Sequence, residues 1–393
     1  MAEHELVNEL RPLEDAMCAV LEDLVMTETP SSDTTLLSRG SLVASTLIHR
    51  LLGDVPEAVD VDGRRHLRLC GGGKNPVLVL CHLDTVWPAG TVNRWPFSAR
   101  GGRATGPGVF DMKGGLVQAL YALSLLPDHR DITLLVTTDE EIGSPTSRAL
   151  IEDESRKSRA VLVAEPSAAG ALKVARKGVS MYRLSVSGRA SHAGLEPEHG
   201  VNALLELAHQ ILAIASSADP EVGTTVTPTT ARAGTSSNTV PAHAEVQVDV
   251  RAWTAAEQQR VHLSLSGLAP RVPRTRIEVS GGVNRPPLEV GASAMLAALA
   301  QQCADELGLP AMEQAAVGGA SDGNFTGALG TPTLDGLGAV GGNAHAEGEW
   351  IDTACMPQRA ALLCRLLQRL ISGDPDAKGA TDRNALNTTT RNA

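Results

Sequence analysis

In the stretch VLVLCHLDTVWPAG (77–90), four aliphatic residues lead to His82 and Asp84. An unbroken apolar run of that kind fits a strand buried on both faces. A strand has a period of two, so the imidazole and the carboxylate leave it on the same side. A carboxylate beside an imidazole fixes its tautomer and raises its basicity, as a metal ligand requires. The alternative without chemistry is a strand-end histidine capped by an aspartate.

Other segments add residues of the same kind. GPGVFDMKGG places Asp111 in a glycine-rich turn before a helix, and TTDEEIGS places Glu140 and Glu141 after a strand. AEPS places Glu165 after another strand, and NAHAEGEW places His345 in a glycine-rich loop. Taken singly, each has a structural explanation: an N-cap for Asp111, a solvated helix start for the glutamate pair, a loop residue for Glu165 or His345. Jointly they deliver carboxylates and imidazoles to the carboxyl ends of strands, where open α/β sheets bind ligands. So many carboxylates in one place would raise each other's pKa, and divalent metals remove that conflict. Mixed histidine and carboxylate donors suit Zn²⁺ better than Mg²⁺ or Ca²⁺. Two such ions, about 3.5 Å apart, can activate a water and polarise a carbonyl.

The elements that must position these groups are legible as an alternation. Helical periodicity covers 12–26, 38–53 and 111–126, and SRALIEDESRKS is a further helix. Strand-like runs cover 76–81, 131–137 and 160–164. Strands alternating with helices predict an α/β domain with a mixed, mostly parallel sheet. Near residue 177 the pattern changes. SMYRLSVSG alternates, 198–216 is helical, 231–253 holds two strands around a polar turn, TAAEQQRVHLSLSGL is helical, and RTRIEVSGG is a strand. That β-α-β-β-α-β order predicts a small inserted α+β domain. The expected boundaries are 1–176 and 288–374 for the catalytic domain, 177–287 for the insert, and a disordered tail at 375–393, which lacks apolar content.

Bulk composition narrows the function classes. The 393 residues are too many for one ordinary core, and 42% hydrophobic with 20% charged content fits a soluble globular protein. A net charge of −11 with 2% aromatics argues against nucleic acid as a partner. No apolar run reaches the roughly 20 residues of a membrane span, so no membrane partner is expected. Six cysteines without a CxxC pair read as buried thiols of a reducing compartment. The acidic N-terminus lacks an apolar secretion core, and a cytoplasmic location is expected.

The pieces HLDTVWPAG, GPGVFDMKGG, TTDEEIGS, AEPS, GRASHAG, SNTVPAHAEVQVDVR, GGASDGNF and the late His345 fall in order across 77–347. Together they resemble the M20 family of metallopeptidases, especially its glutamate carboxypeptidase branch. The resemblance implies two Zn²⁺ per subunit, with Co²⁺ or Mn²⁺ as substitutes. His82 and Glu165 would hold one ion, Glu141 and His345 the other, and Asp111 would bridge them, followed by a cis peptide bond. Glu140 would be the general base and Asp84 the partner that orients His82. The insert would act as a lid and form a homodimer, and His192 of GRASHAG would stabilise the oxyanion in the partner subunit's site. Asn238, Arg251 and Arg285 would hold a substrate carboxylate, with Lys177 a weaker candidate and Gly318 and Gly319 as backbone donors. For either arginine, a surface salt bridge is the alternative.

The implied activity is hydrolysis of an amide that releases a C-terminal amino acid, glutamate in the favoured case, from an N-acyl or short peptide donor. Two alternatives stand beside it. One is a deacylase of the acetylornithine or succinyl-diaminopimelate type, as in a biosynthetic pathway. The other is a silent dimeric binding protein, which the intact set of ligands and Glu140 argues against.

Overall fold

A computed structural model of the chain describes residues 5–373, so the tail expected to be disordered lies outside the described residues. The chain divides into two compact units. Among the described residues, one comprises 5–175, 290–317 and 321–373, and the other comprises 176–289 together with 318–320. The second unit thus includes residues 176, 288, 289 and 318–320, which the sequence pattern assigns to the catalytic domain.

The larger unit is built on a six-stranded sheet. Its order is Glu57–Val61, Arg64–Cys70, Ile132–Thr137, Val77–His82, Ala160–Val163 and Thr333–Leu334. The first three pair antiparallel, and from Ile132–Thr137 onward the pairs are parallel. The sheet is thus mixed and mostly parallel, as expected. Val77–His82 is buried at every position, with neighbours on both sides. That is why it reads as a continuous aliphatic run. The hairpin Glu57–Val61/Arg64–Cys70 was not legible, because RRHLRLC carries the charges of a strand near a sheet edge. Cys70 at its end is exposed, unlike the buried thiol expected, whereas Cys81, Cys303 and Cys364 are buried.

Register aligns the sheet's business end. His82 lies opposite Thr137, and Leu80 opposite Val163, so the loops carrying Glu140 and Glu165 leave beside His82. The strand order reverses around Val77–His82, and the carboxyl end of a strand at such a reversal is where open α/β sheets bind ligands. The helix Gly114–Ser124 begins against the Glu165 loop. A Cβ on Gly115 would come within 1.9 Å of the Ala164 carbonyl oxygen, so only glycine allows that approach. A second small antiparallel sheet joins Gly341–Gly342, Trp350–Asp352, Arg103–Thr105 and Ser98–Arg100. It brings the 343–349 loop to the 106–111 turn.

The smaller unit follows the expected order. Strand Gly178–Ser187, helix Ala203–Ala215, strands Thr225–Ala233 and His243–Ala252, helix Ala255–Ser266 and strand Arg276–Arg285 succeed one another. The strands form an antiparallel sheet with Gly178–Ser187 between His243–Ala252 and Arg276–Arg285. Its own core packs Leu207, Ile214, Val261 and Leu265 of the helices on Leu184, Val246 and Val248. Thr225–Ala233 starts earlier than the sequence suggested. Pro228 obscured it, yet proline is tolerated there because the strand is an edge and bulges between Pro228 and Thr230. Among the described residues, no helix is long and apolar enough to cross a membrane.

Candidate metal centre

His82 ends its strand buried, and its two ring nitrogens have different tasks. Nδ1 lies 3.0 Å from the Asp84 carbonyl oxygen and 3.5 Å from Asp84 Oδ1. The nearer contact is to backbone, so the main-chain carbonyl takes the Nδ1 proton and the Asp84 carboxylate is secondary. Nε2 faces Asp111 Oδ1 and Glu165 Oε1, each 3.3 Å away. The Asp84 carboxylate works elsewhere. It accepts from Ser31 Oγ at 2.8 Å and from the backbone N–H groups of Glu140 and Glu141 at 3.1 and 3.2 Å. It thereby anchors the turn that carries the glutamate pair.

On the other side, His345 Nε2 lies 3.3 Å from Asp111 Oδ2 and 3.1 Å from Glu141 Oε2. Asp111 thus turns one oxygen to each histidine. Its following peptide bond, Asp111–Met112, is cis. His345 sits in the left-handed region at φ 61°, which turns the glycine-rich loop inward. Ligand atoms of His82, Asp111 and Glu141 lie within 4.8 Å of one another, and so do those of His82, Glu140 and Glu165.

Electrostatics inside the cluster favour a positive charge. Burial disfavours charge on His82, yet hydrogen bonds to Asp111, Asp84 and Glu165 hold its imidazole well above the usual value. Hydrogen bonds to Asp111 and Glu141 push His345 up to about 10. Burial opposes charge on Asp111, but His345 and His82 hold its carboxyl well below the ordinary range. Burial raises the Glu141 carboxyl in spite of His345, and the charge of Asp111 adds to the rise.

The donor set fits divalent metal. Glu141 Oε1 is buried without a hydrogen-bond partner, an arrangement that costs free energy unless a cation sits beside it. The four N···O separations run from 3.1 to 3.3 Å. Two ligands on one tetrahedral zinc, each about 2.0–2.1 Å from the ion, stand about 3.3 Å apart.

Sequence reasoning missed the supports. Glu349 is fully buried and accepts from the N–H groups of Gly108, Phe110 and Asp111 and from Trp87 Nε1, all at 2.8–2.9 Å. Burial pushes its carboxyl up, although those four donors act the other way. Its only signal was a carboxylate between glycine and tryptophan in EGEW. Lys113 Nζ donates to the Leu24 and Thr27 carbonyls, and burial brings the amine down to about 7.

The remaining expected residues lie in the smaller unit. His192 is on an exposed loop, and its Nδ1 accepts from the N–H groups of Gly194 and Leu195 at 3.2 and 3.1 Å. Its proton is therefore on Nε2. Asn238 is held to that loop, its carbonyl accepting from Ala193 N–H at 2.8 Å. Arg251 and Arg285 lie opposite Val179 on the two strands that neighbour Gly178–Ser187. The Arg251 fork engages Asp249 at 2.8 and 2.9 Å, whereas Arg285 is buried. The Gly319 carbonyl accepts from Arg176 Nη1 at 3.1 Å.

The sequence matches the family described as Peptidase family M20/M25/M40 over residues 78–369. Carboxypeptidase G2 of Pseudomonas sp. (strain RS-16) is 33% identical over 313 residues, covering 77% of this chain and 75% of that protein. A succinyl-diaminopimelate desuccinylase of Herminiimonas arsenicoxydans is 26% identical over 332 residues, covering 77% and 86%. The M20 family metallo-carboxypeptidase Sso-CP2 from Sulfolobus solfataricus shares the fold, with a TM-score of 0.70 at 16% identity over 90% of this chain and 98% of that one.

Proposed function

The chain belongs to peptidase family M20/M25/M40 and is a hydrolytic enzyme, and from that premise we propose that it cleaves an amide to release a C-terminal amino acid from an N-acyl or short peptide donor. The observation that carries the reading is Asp111, with one oxygen toward each histidine, beside the unpartnered Glu141 Oε1 and the adjacent Glu140.

In this reading His82 and Glu165 hold one Zn²⁺, Glu141 and His345 a second, and Asp111 is shared, with Co²⁺ or Mn²⁺ able to substitute. Bound ions supply a water acidified toward neutral pH and a polarised amide carbonyl. Glu140 takes the proton of the attacking water and returns it to the leaving amine nitrogen. Asp84 holds the Glu140 backbone amide and so aims the base. His192, with its proton on Nε2, donates to the carbonyl oxygen as that atom gains negative charge, acting between the subunits of a homodimer formed through the inserted unit. Arg285, Asn238 and Gly319 hold the substrate carboxylate, and Arg251 contributes less because Asp249 occupies its fork. Glutamate is the favoured released residue, in keeping with the similarity to carboxypeptidase G2. The proposed enzyme is cytoplasmic.

A second reading is supported by the similarity to a succinyl-diaminopimelate desuccinylase: the same chemistry directed at small N-acyl-amino acids. One screen separates the two. The zinc-loaded protein is offered acyl-glutamates and acyl-aspartates against neutral and basic acyl-amino acids, with Arg285→Ala alongside. Selective cleavage of the acidic set, lost in the variant, is the expected result. Cleavage of the neutral or basic set moves the substrate to the deacylase class. Activity that survives complete removal of metal overturns the metal-dependent mechanism.

A further inference from the structure

The turn that carries Glu140 and Glu141 is short, bends sharply and lies between two buried aspartates that no step above uses. Gly143 and Ser144 both adopt left-handed backbone, at φ 92° and 58°. Glycine adopts that conformation freely, but a serine does so only when its surroundings require it. The Ser144 hydroxyl donates to Asp322 Oδ1, and the Thr137 hydroxyl donates to Asp322 Oδ2 at 3.2 Å. Thr137 is the last residue of the strand before the turn, and Ser144 is the first residue after Gly143. One carboxylate thus ties the entrance of the turn to its exit.

Asp322 is itself fixed. It is 3% exposed and opens the short helix Gly323–Ala328, and its carbonyl accepts from Phe325 N–H at 3.1 Å. The preceding Ser321 is anchored to Asp335 and to Asn324. Asp139, at the start of the turn, accepts from Thr146 N–H at 2.6 Å and Ser147 N–H at 3.2 Å, just ahead of the helix Arg148–Lys157. Inside the turn, Ser144 N–H reaches the Asp139 carbonyl and Gly143 N–H the Glu140 carbonyl, both at 2.9 Å. Asp84 takes the two glutamate amides from the opposite side.

We propose that Asp322 is a positioning residue for the reaction: through Thr137 and Ser144 it sets the path of the turn and thereby the aim of the Glu140 carboxylate. It touches neither substrate nor reacting atoms. The role of Glu140 as base rests on the function proposed above, whereas the ordering of the turn does not.

Two variants and two readouts test this. Asp322→Asn keeps the shape and removes the charge. Ser144→Gly removes the hydroxyl while easing the left-handed backbone, so the fold has no steric reason to fail. The first readout is amide hydrogen exchange, which needs no turnover. Exchange at Ile142, Gly143 and Ser144 should quicken by about tenfold or more in each variant, as expected when a hydrogen bond to a charged acceptor is lost. The second is kcat per metal-loaded site, which should fall by about 10- to 100-fold with KM changed by no more than about threefold. The double variant should lose little more than either single one. Unchanged exchange overturns the proposal, and so does faster exchange with an unaltered kcat per loaded site. A fall in activity that merely follows lost metal also overturns it, because the ligands and not the base would then have moved. If the wild type cleaves no amide, the proposed function fails, and the exchange measurement still decides whether Asp322 orders the turn.

Discussion

The strand-end residues of the candidate metal cluster and three of the candidate recognition residues, His192, Asn238 and Arg251, are built in opposite ways, whereas Arg285 is buried. His82, Asp84, Asp111, Glu140 and Glu165 leave the ends of buried strands or tight turns, and their neighbours are themselves buried and bonded. His192 and Asn238 stand on exposed loops, and Arg251 is half-buried with its fork committed to Asp249. The difference follows from the chemistry. Carboxylates that share a cation must be held within tenths of an ångström, and only packed strand ends and satisfied hydrogen bonds achieve that. Groups that meet a variable substrate gain from exposure, and loops on a rigid scaffold supply it.

If the cluster is the catalytic machinery, the largest effect belongs to Glu140→Gln. We expect kcat to fall by about 10³- to 10⁴-fold, with metal content by elemental analysis unchanged. His192→Ala tests the exposed side of the comparison. A loss in kcat of about 10²- to 10³-fold at unaltered melting temperature is expected, since no buried partner is removed. A change in stability without a change in kcat would return His192 to the role of a surface residue. Glu349→Ala probes how far the cluster depends on its supports. It leaves four donors without their acceptor, so a loss of at least about 2 kcal/mol in denaturant unfolding is expected, with weaker metal binding. Arg251→Ala should change kcat/KM by no more than about threefold, because Asp249 already occupies its fork.

The smallest effect concerns pH. His66 is buried against the turn that carries Glu140, accepting from Thr138 N–H at Nδ1 and contacting Thr146 Oγ1 through Nε2 at 3.0 Å. Burial lowers its pKa below the usual 6.5, despite the charges of Asp139, Asp322 and Asp84. The unfolded chain therefore binds a proton more readily than the folded one. The stability contributed by neutral His66 is complete above pH 6.5 and is lost as pH falls from 6.5 toward the lowered value. A melting-temperature series should show that decline, and His66→Gln, which keeps one acceptor and one donor, should flatten it.

The sequence by itself determined the elements whose burial forces a period or a composition. Val77–Leu80 is aliphatic without a break, and Ile132–Thr137 carries only aliphatic residues and threonine, because both faces of each strand are covered. His82, Asp111, Glu140, Glu141, Glu165 and His345 of the candidate metal cluster stood out in the sequence because few other polar groups stand at strand ends, and their order resembles a known family. Edges were harder to read. Thr225–Ala233 carries a proline, which an edge strand tolerates and a central one does not, and Arg64–Cys70, second from the edge of its sheet, carries three arginines and a histidine that interrupt the apolar pattern. Only the tertiary structure decided which groups serve the cluster. That Asp84 holds the glutamate turn more closely than it holds His82, that Glu349 gathers the amides around Asp111, and that Asp322 spans Thr137 and Ser144 are contacts over 50 to 250 residues of chain. Local propensity carries no trace of such contacts. A buried carboxylate takes its partners from whatever the folded chain places beside it, and that is settled by packing.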